Sequence, residues 1–257
     1  MRYLFGLVSV LAIGLLPLIG CSDTADTGGS GGTGGTAGAG GSAGDGGEGG
    51  AGGTRAELRL FVQGWEDGAA TGALPGVEIC EMDTDNCVTT NDQGNAVIEL
   101  PAEQEAAITL AKEGYASYLD SHIIPATGGT EAAVLATYER LDAMHELVDS
   151  PYPMEGTGTL YVEALDAYVG ATLALVGDAT GKQWYRDENT DWDTDLTATT
   201  SGGGGGFSEL APGTVQVDIG DASCTVIRGW PGDADNRLKL PIREGFLSRT
   251  DVRCEAP

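Results

Sequence analysis

From Glu57 the chain reads "ELRLFVQ", apolar and polar residues alternating with a period of two. That period describes a strand with one face in a core and one in water, and it excludes an amphipathic helix. Similar short runs follow: "GVEICEM" from Gly76, "NAVIELP" from Asn95 and "AAITL" from Ala106. Farther on come "GTLYVEA" from Gly158, "VGATLALVG" from Val169, "GGFSELA" from Gly205 and "GTVQVDI" from Gly213. Gly, Asn, Asp and Pro punctuate them, the spacing of a sandwich or barrel. One helix is predicted, over Tyr138 to Val148. The fold class expected is all-β.

Residues upstream of Arg55 belong to another regime. Residues 24–54 are Gly, Ser, Thr and Ala with scattered acids, a composition that cannot build a core and predicts a disordered linker. As a coil, 22–54 would span about 30 Å. No strand precedes this glycine run and no Gly-Lys-Ser/Thr follows it, so it is not a phosphate loop. The first twenty residues carry Arg2 and an apolar run from Tyr3 to Ile19, the length of a signal-peptide core and short for a membrane span. The run ends in Leu18-Ile19-Gly20-Cys21, which resembles the lipobox of bacterial lipoproteins. That resemblance implies cleavage before Cys21 and lipidation of it with acyl chains such as palmitate. Each buried methylene contributes about 0.8 kcal/mol, so several chains anchor without a spanning helix. Ser22 in place of Asp implies, by the same resemblance, the outer membrane, with the protein facing the periplasm or the cell surface. The alternative is an ordinary secreted chain with a stray cysteine.

The chain carries 13 Lys and Arg against 39 Asp and Glu, a net charge of −26. Such a chain repels nucleic acid and anionic surfaces. With Cys21 set aside, Cys80, Cys87, Cys224 and Cys254 remain, an even number in an exported chain. Local pairing is expected, Cys80 with Cys87 and Cys224 with Cys254.

The two halves repeat one plan. Gly76-Val77-Glu78-Ile79 matches Gly170-Ala171-Thr172-Leu173, an offset of 94. Thr89-Thr90 matches Thr199-Thr200 and Glu99-Leu100 matches Glu209-Leu210, both at an offset of 110, so the second copy carries an insertion. Ile108 is paired in this alignment with Val215. Asn91-Asp92-Gln93-Gly94 would turn a hairpin, with the glycines after Thr200 as its counterpart, and Val97 and Phe207 would start the next strand facing the core. Expected boundaries are 1–20 signal peptide, 21–54 linker, 55–137 first sandwich, 138–155 connector and 156–257 second sandwich. Whether the copies pack together or move on the connector stays open.

"GALPGVEIC…TTNDQGNAVIELPA…ITLAKEGY" resembles the carboxypeptidase-regulatory-like domain, a small transthyretin- or immunoglobulin-like β-sandwich. The second copy matches through "VGATLAL", "TTSGGGGGF" and "LAPGTVQV" but lacks the Lys-x-Gly-Tyr ending. The resemblance implies two tandem sandwiches and accessory rather than catalytic roles.

Catalytic constellations are sparse. His122 is expected exposed near a strand end and His145 on the connecting helix; neither has zinc-ligand spacing. No Gly-x-Ser-x-Gly elbow occurs. Acids are numerous enough for a two-carboxylate glycosidase, but small sandwiches rarely form deep clefts. The chain is therefore expected not to be an enzyme and to need no cofactor, calcium being the one candidate. In the insertion Asp187, Asn189, Asp191, Asp193 and Asp195 alternate as calcium-loop oxygens do, or else form a solvated hairpin. Asp83 and Asp85 are a weaker calcium candidate. Trp184, Tyr185 and Trp192 either form a platform for sugar rings or, as the favoured reading, pack inside. Partners expected are the membrane through the lipid and a glycan or envelope protein. Three functions follow: a lipid-anchored binding module, a carbohydrate-binding lipoprotein with a calcium-organised loop at 184–195, or a structural envelope protein.

Overall fold

Strand β1 (Arg55–Glu66) obeys the period-two rule: Ala56, Leu58, Leu60 and Val62 are buried while Arg55, Glu57 and Arg59 face water. A computed structural model describes residues 53–66, 69–166, 168–220 and 223–255. The signal peptide, Cys21 and nearly all of the linker lie outside the described residues. Among the described residues no helix is long and apolar enough to cross a membrane.

Among the described residues the protein is all-β apart from one helix. In the first copy β1 pairs with β2 (Ala69–Ala73) and β5 (Asn95–Pro101), both antiparallel, and with β8 (Gly129–Ala136), parallel. Facing this sheet, β3 (Glu78–Glu81) lies between β4 (Cys87–Thr89) and β6 (Glu105–Ala111), which pairs with β7 (Ser117–Ile123). Leu58, Ile79, Ile98, Leu100, Ile108 and Leu110 fill the space between the sheets. Each such side chain contributes about 1.5–3 kcal/mol of burial.

The second copy repeats the plan. β9 (Gly158–Leu165) pairs antiparallel with β13 (Gly204–Leu210) and parallel with β18 (Phe246–Glu255), as β1 does with β5 and β8. The insertion adds β11 (Lys182–Arg186) and β12 (Trp192–Asp193) outside β13. Opposite, β14 (Gly213–Gly220) lies between β10 (Thr172–Leu175) and β17 (Arg237–Ile242), and β16 (Trp230–Pro231) borders β17. β15 (Ser223–Arg228) pairs with the C-terminal half of β18. Both disulfides form, Cys80–Cys87 clamping β3 to β4 and Cys224–Cys254 clamping β15 to β18.

The copies are joined by more than the connector. β18 lies between β9 of its own copy and β7 of the first, parallel to both. One ten-stranded sheet therefore runs through both copies, in the order β12-β11-β13-β9-β18-β7-β6-β3-β4 with β15 beside β18. Over the junction lies α1 (Tyr138–Leu147), capped by the Thr137 hydroxyl, which accepts from the Arg140 N–H at 3.3 Å. Leu141, Met144 and His145 point inward at helical spacing, followed by buried Val148. A ten-residue helix is marginal alone, so this face holds it.

Hydrogen bonds correct the repeat's alignment. In the first copy Thr90, not Thr89, is the clamp: its hydroxyl accepts from Val77 N at 2.9 Å and donates to Leu74 O at 2.8 Å. In the second the Thr199 hydroxyl accepts from Ala171 N at 3.0 Å and donates to Tyr168 O at 2.7 Å. Thr90 therefore corresponds to Thr199, and the same offset joins Gly94 (φ 72°) to Gly203 (φ 77°) and Ile98 to Phe207. Val97, expected in the core, is 45% exposed, and Ile98 takes the inward place. The slip arises at Glu209, where φ is 61° and the β13–β9 register shifts. That bulge adds a residue and restores the Glu-Leu match. Ile108 corresponds to Val217, since Ile108 sits opposite Glu81 and Val217 opposite Leu175.

Candidate functional site

The glycine run after Thr200 is only partly a turn. Gly204 to Gly206 lie within β13, between the aromatic side chains of β11 and β9. A Cβ on Gly206 would meet Leu160 O at 1.9 Å and Trp184 Cζ2 at 2.8 Å; one on Gly205 would meet Tyr185 Cδ1 at 2.6 Å. Without these side chains, Trp184 of β11 stacks across β13 on Tyr161 of β9, with centroids 5.9 Å apart and planes at 14°. Trp192 stacks on the far face of Trp184, 3.8 Å away at 10°.

The rings pack inside, the reading favoured over an exposed platform. Trp184 and Tyr185 are 0% exposed and Trp192 is 7% exposed. Trp184 faces the core that runs under α1, while Tyr185 faces the second copy's own core, where its hydroxyl accepts from Leu173 N at 2.8 Å. Alternation along β11 thus sends neighbouring rings into opposite cores.

Following the register outward from Trp184, Gly206 and Tyr161 reaches Arg249 on β18 and Asp120 on β7. Arg249 ion-pairs with Glu163 at 2.5 Å and Asp251 at 3.3 Å. Burial opposes its charge, but Asp251 and Glu163 more than offset this and raise its pKa. Asp251 also pairs at 3.0 Å with Arg228, which reaches Asp120 at 3.3 Å and Glu131 at 3.1 Å. Arg228 is only 8% exposed. Strands of both copies therefore share one buried ionic network.

Between this network and the aromatic stack, under α1, is a cavity of about 210 Å³. Tyr118, Tyr161 and Trp192 supply aromatic walls, and Arg140, Arg186 and Arg249 converge on it. Arg140 comes from α1 and pairs with Asp191 at 3.0 Å. Arg186 donates to Tyr161 Oη at 2.5 Å, its guanidinium carbon 5.6 Å from that ring's centroid. Burial, reinforced by Glu163, pushes the Tyr161 pKa up to about 12 despite Arg186 and Arg249, so the phenol stays protonated. Burial raises Tyr118 as well. Its hydroxyl accepts from Ala136 N at 3.1 Å.

The aspartates of the insertion act on the backbone. Asp187 Oδ1 accepts from Asn189 N at 2.8 Å and Asp191 N at 2.9 Å, and Asp193 Oδ1 from Asp195 N at 2.7 Å. Desolvation raises the Asp187 carboxyl, but its bonds to Asp191 and Asn189, with Arg186 nearby, outweigh this and hold it below the usual range. Asp83 faces Arg243 at 3.6 Å. Among the described residues no three His, Cys, Asp or Glu side chains gather to hold a metal ion. Asp187 and Asp193 thus supply the turn chemistry of the hairpin that carries Asn189, Asp191 and Asp195.

His122, expected exposed, is buried; desolvation and then Arg228 lower its pKa to about 3. His145 lies on α1 as expected and is buried, with its pKa lowered by desolvation to about 4. Its Nε2 is 3.4 Å from Thr159 Oγ1, but that hydroxyl donates to Met154 Sδ at 2.9 Å and His145 Nδ1 has no partner among the described residues. With no orienting group and no exposure, this pair is not an activated nucleophile.

No family model matches the sequence, and no curated protein matches it. The chain is similar to solved β-rich structures at low identity. The TIE protein of Bacillus anthracis is 12% identical with a TM-score of 0.24; the match covers 78% of this chain and 34% of that one, so the chain spans about a third of its length. The minor pilin of Streptococcus agalactiae is 10% identical with a TM-score of 0.26, over 79% and 96% of the two chains. A putative carbohydrate binding protein from Bacteroides uniformis is 9% identical with a TM-score of 0.23, over 73% and 97%. At these scores the likenesses carry no argument about function.

Proposed function

We propose that this chain is a non-catalytic binding protein of the cell envelope, anchored through lipid on Cys21 at the outer membrane and exposed to the periplasm or the cell surface. Its ligand is a small ring compound that enters the cavity between the two copies. One observation carries the reading: aromatic walls and converging arginines from both copies and from α1 meet at a single cavity. Pockets of that make-up, mostly apolar with a few placed polar groups, are the usual form of a small-ligand site. The carbohydrate reading moves with it, from an exposed platform to this cavity, where Trp192 is the wall a sugar ring would meet.

The anchor is supported by the residues at the cleavage junction, and labelled palmitate tests it. Wild type takes up label in the outer-membrane fraction and Cys21→Ala does not; equal labelling of both would end the lipoprotein reading. Tryptophan fluorescence during titration with simple sugars and aromatic acids tests the cavity. Saturable change that Trp192→Ala removes supports it. A second reading, a structural envelope protein, is favoured by the buried ionic network that locks the copies, and it stands alone if no ring compound binds.

A further inference from the structure

Resting on the reading of this cavity as a ligand site, we propose that its ligand bears a single carboxylate, held by the Arg186 guanidinium and the Tyr161 hydroxyl. Acids outnumber bases threefold, so an arginine here ordinarily finds a carboxylate, and every other arginine of the described residues does. Arg186 has none within ion-pair distance among the described residues. Of its five N–H donors, one goes to Tyr161 Oη at 2.5 Å and the others meet no described acceptor. Tyr161 accepts that bond, and its own proton is donated to no described residue. A guanidinium fork and a phenolic O–H therefore stand side by side at the cavity with donors unspent.

A carboxylate matches that pair. Its two oxygens accept from a fork of N–H groups and from a hydroxyl together, in charge-assisted bonds stronger than neutral ones. The other arginines at the cavity are already balanced, Arg140 by Asp191 and Arg249 by Glu163 and Asp251. Arg186 is thus the one cavity arginine with no carboxylate at ion-pair distance among the described residues, a place for one anionic group. A second would face Glu163, and a cation would face Arg186. Trp192 and Tyr118 supply flat apolar surface for the ring that carries the acid.

Matched probes test this on the mature full-length chain. Benzoate with benzyl alcohol and benzylamine, and glucuronate with glucose, are titrated and followed by ligand-observed NMR. At low salt, at least one acid binds about tenfold or more tighter than its neutral partner, phthalate binds more weakly than benzoate, and benzylamine does not bind. Arg186→Gln brings acid and neutral partner to the same affinity. Lys112→Gln, removing a cation outside the cavity, leaves the preference unchanged. Should Arg186→Gln fail to fold by circular dichroism, wild type decides the matter, because ~1 M NaCl, with a Debye length of about 3 Å, shrinks a true charge preference. If neutral partners bind as tightly as acids, the charge assignment falls and the cavity reading stands. If no probe of either series binds, both fall.

Discussion

In the first copy the sheet of β1, β5 and β8 hides one face and wets the other, whereas its counterpart in the second copy, β9, β13 and β18, is covered on both. The matched positions Val97 and Gly206 show the difference. Val97 stands in solvent on β5, while Gly206 on β13 has the indole of Trp184 on one side and Leu160 on the other. One plan therefore serves two environments, and the second copy shed side chains where a strand had to lie between two rings. Internal repeats diverge where their surroundings diverge, even when their backbone bonds stay the same.

That contrast can be broken most severely at Gly206. Gly206→Val is expected to cost more than about 5 kcal/mol or to yield no folded protein, because the added atoms meet backbone that cannot give way. Val97→Gly at the matched position costs about 1 kcal/mol or less. Urea denaturation of the pair checks this; equal losses would mean the two sheets are not differently covered. Next comes Arg228→Met, which strands Asp120, leaves Asp251 with Arg249 alone, and is expected to cost about 3–5 kcal/mol. The same assay reads it, and a loss under 1 kcal/mol would show that the seam is not held by charge.

Acid sharpens the contrast further. His122 and His145 have folded pKa values of about 3 and about 4, below the unfolded value near 6.5, so the unfolded chain binds more protons between those limits. Their contribution to stability is complete above pH 6.5 and is lost as pH falls, about 2 kcal/mol for each histidine by pH 5. His122→Gln should flatten the slope of stability between pH 7 and 5 relative to wild type; an unchanged slope would contradict a neutral buried imidazole. The last comparison belongs to what the copies share. Thr90→Val and Thr199→Val each orphan one buried backbone N–H and should cost about 1–3 kcal/mol, alike within error. Clearly unequal losses in thermal unfolding would mean that one clamp is not equivalent to the other.

Much of the plan was legible in local residues. The alternating strands and the α1 segment depend on neighbours within a few positions, and the cysteine pairing and the order of the repeat follow from spacing along the chain. The one-residue slip at Thr90 was not legible, because a bulge at Glu209 silently restores the register. Nor was the purpose of Gly204 to Gly206 legible, since a glycine run reads as a turn until the rings beside it are known. The cavity lay farther still from view. Arg186 is one basic residue in an acidic hairpin, and its isolation from carboxylates emerges only when β9, β11, β18 and α1 are in place.

β18 has a consequence for how the molecule is made. It follows every other strand of the described residues yet occupies the middle of the ten-stranded sheet. Until it has been synthesised, β7 and β9 each present an open edge, and their parallel partner is far away in sequence. Such distant pairing closes slowly. The first copy must therefore wait with a sticky edge bared. The acidic surface, by keeping waiting molecules apart, would protect assembly as well as the finished protein.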